Sequence, residues 1–279
     1  MDHADEGTRG SGSLPLDGRV IVVTGGLGQL GKEFTKALLS AGARVAVVDL
    51  AVTAETASQH GVPGYADDQL FVQCDVTRRR SVNGALEQIA ARWGVPHGLV
   101  NNAALDSPPD ASADENGPFE SFPESSWDRV MEVNAKGVFL ACQVIGGAMA
   151  QAGRGSIINV SSIYGVVSPD QSLYEYRRQR GETFFKPVAY SASKSALLNL
   201  TRYLATYWAP RGVRVNSMIL GGVFNNQDPR FLEGYHRRVP LGRMARPDEY
   251  NGGMLFLLSD ASSYMTGAEL VMDGGWTAW

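Results

Sequence analysis

The chain has 279 residues, 44% of them hydrophobic and 19% charged, which excludes a disordered or fibrous protein and leaves room for a sizeable core. Its 25 basic residues against 29 acidic ones leave a net charge of -4, which offers no electrostatic footprint for nucleic acid or an anionic membrane surface. Cys74 and Cys142 are the only cysteines; without CxxC or Cys/His spacing they suit the core of a protein in a reducing cytoplasm with no metal site.

Residues 1–14 read as a disordered tail, acidic and rich in small residues, with neither a basic start nor an apolar run of signal-peptide length. Residues 15–279 then read as one domain in which short β-branched runs alternate with helical patterns, the signature of βαβ units on a parallel sheet. Val20 to Val23 is an unbroken apolar run, as suits a strand buried on both faces. A glycine cluster follows, and Leu30, Phe34, Ala37, Leu38 and Ala41 recur at helical spacing until Gly42 ends the pattern. Val45 to Val48 supplies the second strand, ending at Asp49. Further strands are expected at Leu70 to Gln73, Leu99 to Val100, Ile157 to Val160, Val213 to Met218 and Leu270 to Met272. Helices are expected near Val82 to Trp93, Ser126 to Ala150, Tyr190 to Ala209 and Pro247 to Ser259. No apolar stretch approaches the roughly 20 residues that cross a bilayer, so small molecules and other subunits are the expected partners, not membranes or nucleic acid.

Thr24 to Gly31 reads TGGLGQLG and contains Gly26-x-Gly28-x-x-Gly31 between a strand and a helix, the setting in which glycines bring backbone close to a pyrophosphate. Early glycines allow the turn, the last lets helix pack on strand, and the helix N-terminus offers free N–H groups to negative charge. A side chain at Gly28 is expected to block the phosphates. Asp49, 18 residues past Gly31, is placed to accept hydrogen bonds from the adenosine ribose and to repel the extra phosphate of NADP, so NAD is expected over NADP.

A second constellation lies downstream. Tyr190 and Lys194 in YSASK stand at i and i+4 on one helix face, after Asn101-Asn102-Ala103-Ala104 and the Ser161-Ser162 pair at a strand end. Together with the glycine loop, these motifs resemble the short-chain dehydrogenase/reductase family over residues 16–276. The resemblance implies a Rossmann fold: an α/β, doubly wound, seven-stranded parallel sheet with helices on both faces.

By the same resemblance Ser162, Tyr190 and Lys194 match the catalytic serine, tyrosine and lysine, and Asn134 in MEVNAKGVF matches the asparagine that anchors a water leading from the lysine to solvent. Tyr190 then serves as the base, since a tyrosine of pKa about 10 needs a shift of about 3 units to be ionised at neutral pH, and a nearby lysine cation is a source of it. Residues 101–103 match the family's strand end beside the cofactor, Asp75-Val76 its adenine contact, and Gly221-Gly222-Val223 the segment meeting the nicotinamide amide. The expected cofactor contacts are Gly25, Gly28, Gln29, Leu30, Asp49, Leu50, Asp75, Val76, Asn102, Ala103, Tyr190, Lys194, Gly221 and Val223.

Three departures from the family pattern stand out. Gln29 occupies the place of a common glycine. Leu220 replaces a common proline, and Asn225-Asn226 lie where a threonine often meets the pyrophosphate. Ser162 and Tyr190 are 28 positions apart, farther than is usual, which makes residues 168–187 an insertion that starts and ends at the catalytic centre and resembles that of bacterial relatives in sugar metabolism. A second basic cluster falls in residues 224–246, where the family closes over substrate.

Ser162, Tyr164, Tyr174, Arg177, Arg178, Gly222, Asn226 and His236 are the expected substrate contacts. With two basic loops facing one pocket, a polyhydroxylated or anionic ligand is expected: a sugar, sugar acid or sugar sulfonate oxidised at a secondary alcohol. The alternatives are an NADPH-dependent 3-oxoacyl thioester reductase and, from another class, a nucleotide-binding scaffold without chemistry. The long helices and aromatic C-terminus resemble family subunit contacts, which implies a homotetramer, with a homodimer second.

Overall fold

A computed structural model of the chain describes residues 14–106 and 116–279. The tail expected over residues 1–14 lies, apart from Leu14, outside the described residues. Seven parallel strands form one sheet in the order β3-β2-β1-β4-β5-β6-β7. They are β1 (Val20–Thr24), β2 (Arg44–Asp49), β3 (Gln69–Gln73), β4 (Gly98–Asn101), β5 (Gly155–Ser162), β6 (Val213–Leu220) and β7 (Glu269–Met272). The expected doubly wound α/β fold is therefore observed, each strand within a few residues of its expected place.

Helices cover both faces, as the unbroken apolar strands require. In β1, Val20 and Val22 point into one core with α3 (Arg79–Trp93), α4 (Glu124–Gln151) and α6 (Val188–Trp208). Ile21 and Val23 point into the other, with α1 (Gln29–Ser40) and α8 (Asn251–Leu258). Burying each such side chain contributes about 1.5–3 kcal/mol before chain entropy is charged.

By length and composition α4 could cross a bilayer, yet 56% of its most apolar window is buried. Val138, Leu140, Ala141, Ile145 and Met149 spend that apolarity on the core, which is why a helix read as a core element also carries a membrane-like run. Two π-helical turns interrupt it, Glu132–Gly137 and Cys142–Gly146. Gly137 sits where a Cβ would meet Val76 Cγ2 at 2.9 Å, and at Gly146 the Trp208 ring would be 2.8 Å away.

Three elements were not anticipated from periodicity: α2 (Ala54–His60), the short α5 (Glu175–Arg178) inside the insertion, and α7 (Pro229–Arg238). The last two, with β6 and the C-terminus, enclose a third apolar cluster of Tyr164, Leu173, Tyr174, Phe184, Phe231, Tyr235 and Trp276. This cluster stands at the carboxyl ends of β5 and β6, where ligands bind in open α/β sheets.

Candidate active site

The glycine loop joins β1 to α1 and is crowded from within. Gly25 has φ +63°, and a Cβ there would lie 2.7 Å from Ala103 Cα; at Gly31 it would lie 2.3 Å from Gly25 O. Gly25, Gly26 and Gly31 thus make the tight turn. Gly28 has ordinary backbone angles and begins α1 as its N-cap, with no side-chain cap on the helix N–H groups; a Cβ there would sit 3.2 Å from Gly25 O. Within the loop itself the demand for glycine falls chiefly on Gly25, Gly26 and Gly31.

Asp49 closes β2 with Oδ2 accepting from Leu27 N (3.1 Å) and Oδ1 from Ala51 N (3.0 Å), so its charge is fixed beside the loop. Leu50 beyond it is exposed. Asn102 fastens β4 to the loop by donating to Thr24 O and Gly25 O, while Thr24 Oγ1 accepts from Asn102 N and Ala103 N. Asp75 accepts from Thr77 N and Oγ1, which shapes the turn after β3. The fixed carboxylate, the uncapped helix N-terminus and glycines that leave no room for Cβ atoms fit a dinucleotide.

Gln29, in the place of a glycine, reaches across and donates from Nε2 to Phe224 O at 2.8 Å. Val223 pairs with Ala245, and Gly222 N–H donates to the Tyr235 hydroxyl at 2.7 Å. The glycine loop and the segment after β6 are therefore joined.

These elements border a cavity of about 330 Å3 lined by Gln29, Leu30, Asn102, Ser162, Tyr164, Tyr174, Tyr190, Lys194, Gly221, Gly222 and Val223, with Asp106, Lys186, Asn225, Gln227 and Tyr235. Half of the expected catalytic and cofactor residues thus meet in one space, while Gly25, Gly28, Asp49, Leu50, Asp75, Val76, Ala103 and Asn134 do not line it. Lys194, buried on α6, donates to Val160 O at 2.8 Å, its Nζ 5.8 Å from the Tyr190 ring centroid. Burial pushes the Lys194 ammonium down to about 8, which Asp106 partly opposes. Burial, aided by the charge of Asp106, pushes the Tyr190 phenol up, while Ser162 pulls it the other way.

The turn of α6 that carries both residues is pinned by hydroxyls: Ser161 donates to Lys194 O, Ser195 to Gly165 O and Ser193 to Tyr190 O. Asn134 joins this frame from the first π turn of α4. Its amide donates to Ser193 Oγ and Leu105 O, and its Oδ1 accepts from Leu105 N at 2.7 Å. The side chain thus ties three segments together and makes no bond to Lys194.

Several expected substrate contacts lie elsewhere. Arg177 pairs with Glu182 and lies over the Phe184 ring; Arg178 pairs with Glu175 and donates to Phe184 O and Gln171 O. Asn226, exposed and at φ 54°, and His236 on α7 do not line the cavity either. The remaining arginines are also engaged: Arg180 and Arg230 with Asp228, Arg237 with Glu233, Arg238 with Asp170. The two basic loops do not converge on the cavity, because their cations are consumed by acidic neighbours and backbone carbonyls within the loops.

The cations that do face it are Lys194 and one that sequence reading passed over, Lys186. Its Nζ is 2.5 Å from Asp106 Oδ1 and 5.0 Å from the Tyr190 ring centroid. Its position four residues before Tyr190, repeating the Tyr190–Lys194 interval, is the one signal that could have singled it out. Asp106 carries no comparable mark.

A family profile described as Enoyl-(Acyl carrier protein) reductase matches residues 28–277. D-threitol dehydrogenase of Mycolicibacterium smegmatis is 33% identical over 94% of this chain and 94% of its own. Among solved structures, a short chain dehydrogenase from Leptospira borgpetersenii with bound NAD+ superposes with a TM-score of 0.83 at 31% identity, covering 99% of this chain and 100% of that one. A gluconate 5-dehydrogenase from Burkholderia cenocepacia in complex with NADP and tartrate gives 0.81 at 28% identity over 95% and 98%.

Proposed function

This chain belongs to the short-chain dehydrogenase/reductase family and acts on alcohol groups, and from that premise we propose that it oxidises a neutral, polyhydroxylated secondary alcohol with NAD. The observation that carries the substrate class is the cavity wall. Around Tyr190 stand the hydroxyls of Ser162, Tyr164 and Tyr174 and the amide of Asn225, with the cation of Lys186 already balanced by Asp106; the Gln227 amide is engaged by Asn225 N and Val223 O. Such a wall offers several hydrogen bonds and, apart from Lys194 beside Tyr190, no unbalanced charge. The arginines that favoured an anionic sugar acid or sulfonate are engaged elsewhere, which moves the proposal toward polyols and neutral sugars. D-threitol, in the name of the M. smegmatis relative, is a compound of that kind.

NAD is proposed over NADP on Asp49, whose fixed carboxylate would repel a 2′-phosphate; the B. cenocepacia structure of the same fold holds NADP, so the fold alone does not decide the cofactor. Gly25, Asn102, Asp49 and the N-terminus of α1 would hold the dinucleotide, with Gly221 to Val223 at its nicotinamide end. When bound, the group supplies the acceptor for the hydride.

The chain supplies the rest. Ser162 Oγ holds the substrate oxygen, Tyr190 Oη takes its proton, and the Lys194 ammonium stabilises the tyrosinate that results. Because burial raises Tyr190, the neutral phenol is the resting form, and the positive charges of Lys194 and the bound nicotinamide ring are needed to make it a base. Asn134 and Ser193 position this turn. Spectrophotometric assay of a panel of polyols, sugar acids and simple secondary alcohols with NAD and NADP tests the proposal. We further propose a homotetrameric cytoplasmic enzyme.

A further inference from the structure

The catalytic cavity holds one ion pair that the hydride-transfer chemistry does not use. Lys186 is the last residue but one before α6, and its side chain is only 8% exposed although it carries a charge. Asp106, its partner, follows β4 and is 60% exposed. Both line the cavity beside Ser162 and Tyr190.

The insertion is built to hold this lysine. Gln171 clamps the Lys186 backbone reciprocally, its Oε1 accepting from Lys186 N at 2.9 Å and its Nε2 donating to Lys186 O at 3.2 Å. Arg178 then bridges the two ends of the clamp by donating to Gln171 O and Phe184 O. Burying an ammonium is costly unless it is paired, so a cation held this firmly at the edge of the reacting group calls for a reason beyond folding the loop.

We propose that Lys186 and Asp106 together read a hydroxyl on the carbon next to the one oxidised. A hydroxyl both accepts and donates, and this pair offers one partner for each act: the ammonium donates to the hydroxyl oxygen and the carboxylate accepts its proton. A hydrogen atom in the same place satisfies neither, and an anionic oxygen, having no proton to give, leaves Asp106 unmet. The distance suits a vicinal diol. Its two oxygens lie about 3 Å apart and each reaches a partner at about 2.8 Å, so one hydroxyl can meet Tyr190 while its neighbour meets a cation 5.0 Å from the tyrosine ring. Resting on the alcohol assignment above, the pair thereby makes the site selective for 1,2-diols over lone secondary alcohols.

The test compares threitol and 2,3-butanediol with 2-butanol and cyclohexanol, using wild type, Lys186→Met and Asp106→Asn; the second variant changes an exposed side chain and keeps the fold in hand. In both variants kcat/KM on the diols should fall roughly 10- to 100-fold further than on the mono-alcohols, whose own change reports what the lost charge does to Tyr190 and Lys194, while NAD+ binding by calorimetry stays unchanged. In a Tyr190→Phe background, where turnover is blocked, Lys186→Met should also abolish the calorimetric signal of threitol added to protein with NAD+. Equal losses on diols and mono-alcohols would reduce the pair to a structural tie and overturn the inference. A wild-type enzyme that oxidises neither class would instead sink the polyol assignment itself.

Discussion

Tyr190 is half-buried and Lys194 buried at the wall of the cavity, and that burial acts on them in opposite directions. The neutral phenol is favoured at Tyr190 and the ammonium is weakened to about 8 at Lys194, so without cofactor the pair rests with its proton on the tyrosine. A group whose pKa is raised by folding contributes stability that is present below its unfolded value, about 10 for tyrosine, and is lost as pH rises through the raised value. The 295 nm absorbance difference between the cofactor-free protein and Tyr190→Phe should therefore show no ionisation step below about pH 10. The variant should also gain in relative stability above that pH. A step between pH 7 and 8 in the cofactor-free protein would mean that Lys194 alone suffices to ionise the base. The residues proposed for catalysis could be singled out in sequence because their spacing is local: a helix turn for Tyr190 and Lys194, a strand end for Ser162. Asp106 had no such mark, since only the closing of β4 against the insertion brings it to Lys186.

Among the elements, the insertion shows best how charge can mislead. Tyr174, Arg177 and Arg178 read as pocket-facing groups, and Tyr174 does line the cavity, but the two arginines are spent on folding the segment. Arginine offers five donors in a planar fork, and in a short loop between Gln171 and Phe184 the nearest acceptors are the loop's own carbonyls and glutamates. Arg178→Ala should remove two bonds to backbone and cost roughly 1.5–3 kcal/mol, measured by urea unfolding. Because those bonds frame the Lys186 clamp, KM for the alcohol should rise several-fold with NAD+ affinity intact. Unchanged KM alongside lost stability would uncouple the insertion from the substrate. The regular elements were easier to read. Unbroken runs such as Val20 to Val23 identify strands covered on both faces, whereas α7 was missed because its ten residues from Pro229 to Arg238 are mostly polar, and its apolar face rests on only Phe231, Leu232 and Tyr235.

At the scale of the whole molecule, the sheet brings the parts together at one edge. β1 and β4 lead into the glycine loop and Asn102, β5 ends in Ser162, and β6 leads into Gly221, so the carboxyl ends of four strands carry the proposed cofactor and substrate contacts. Away from that edge, Tyr203 and Tyr207 stack on the outer face of α6, their centroids 6.0 Å apart and both exposed, with Phe139 of α4 also exposed. Aromatic side chains on long helices suit a subunit contact, and light scattering should give four chains per particle; a stable monomer would contradict the proposed assembly.

The central claim is that this site oxidises a polyhydroxylated secondary alcohol with NAD, and the most direct measurement is NADH formation at 340 nm. The panel should include threitol, other polyols, neutral sugars, gluconate, sulfonated sugars and simple secondary alcohols, run with NAD and NADP, together with 3-oxoacyl thioester reduction in reverse. Turnover should be fastest with neutral polyols or sugars and NAD, with NADP at least about 10-fold poorer because of the charge on Asp49. Preferential reduction of a thioester by NADPH, with no polyol oxidised, would contradict both the Asp49 argument and the reading of the cavity wall.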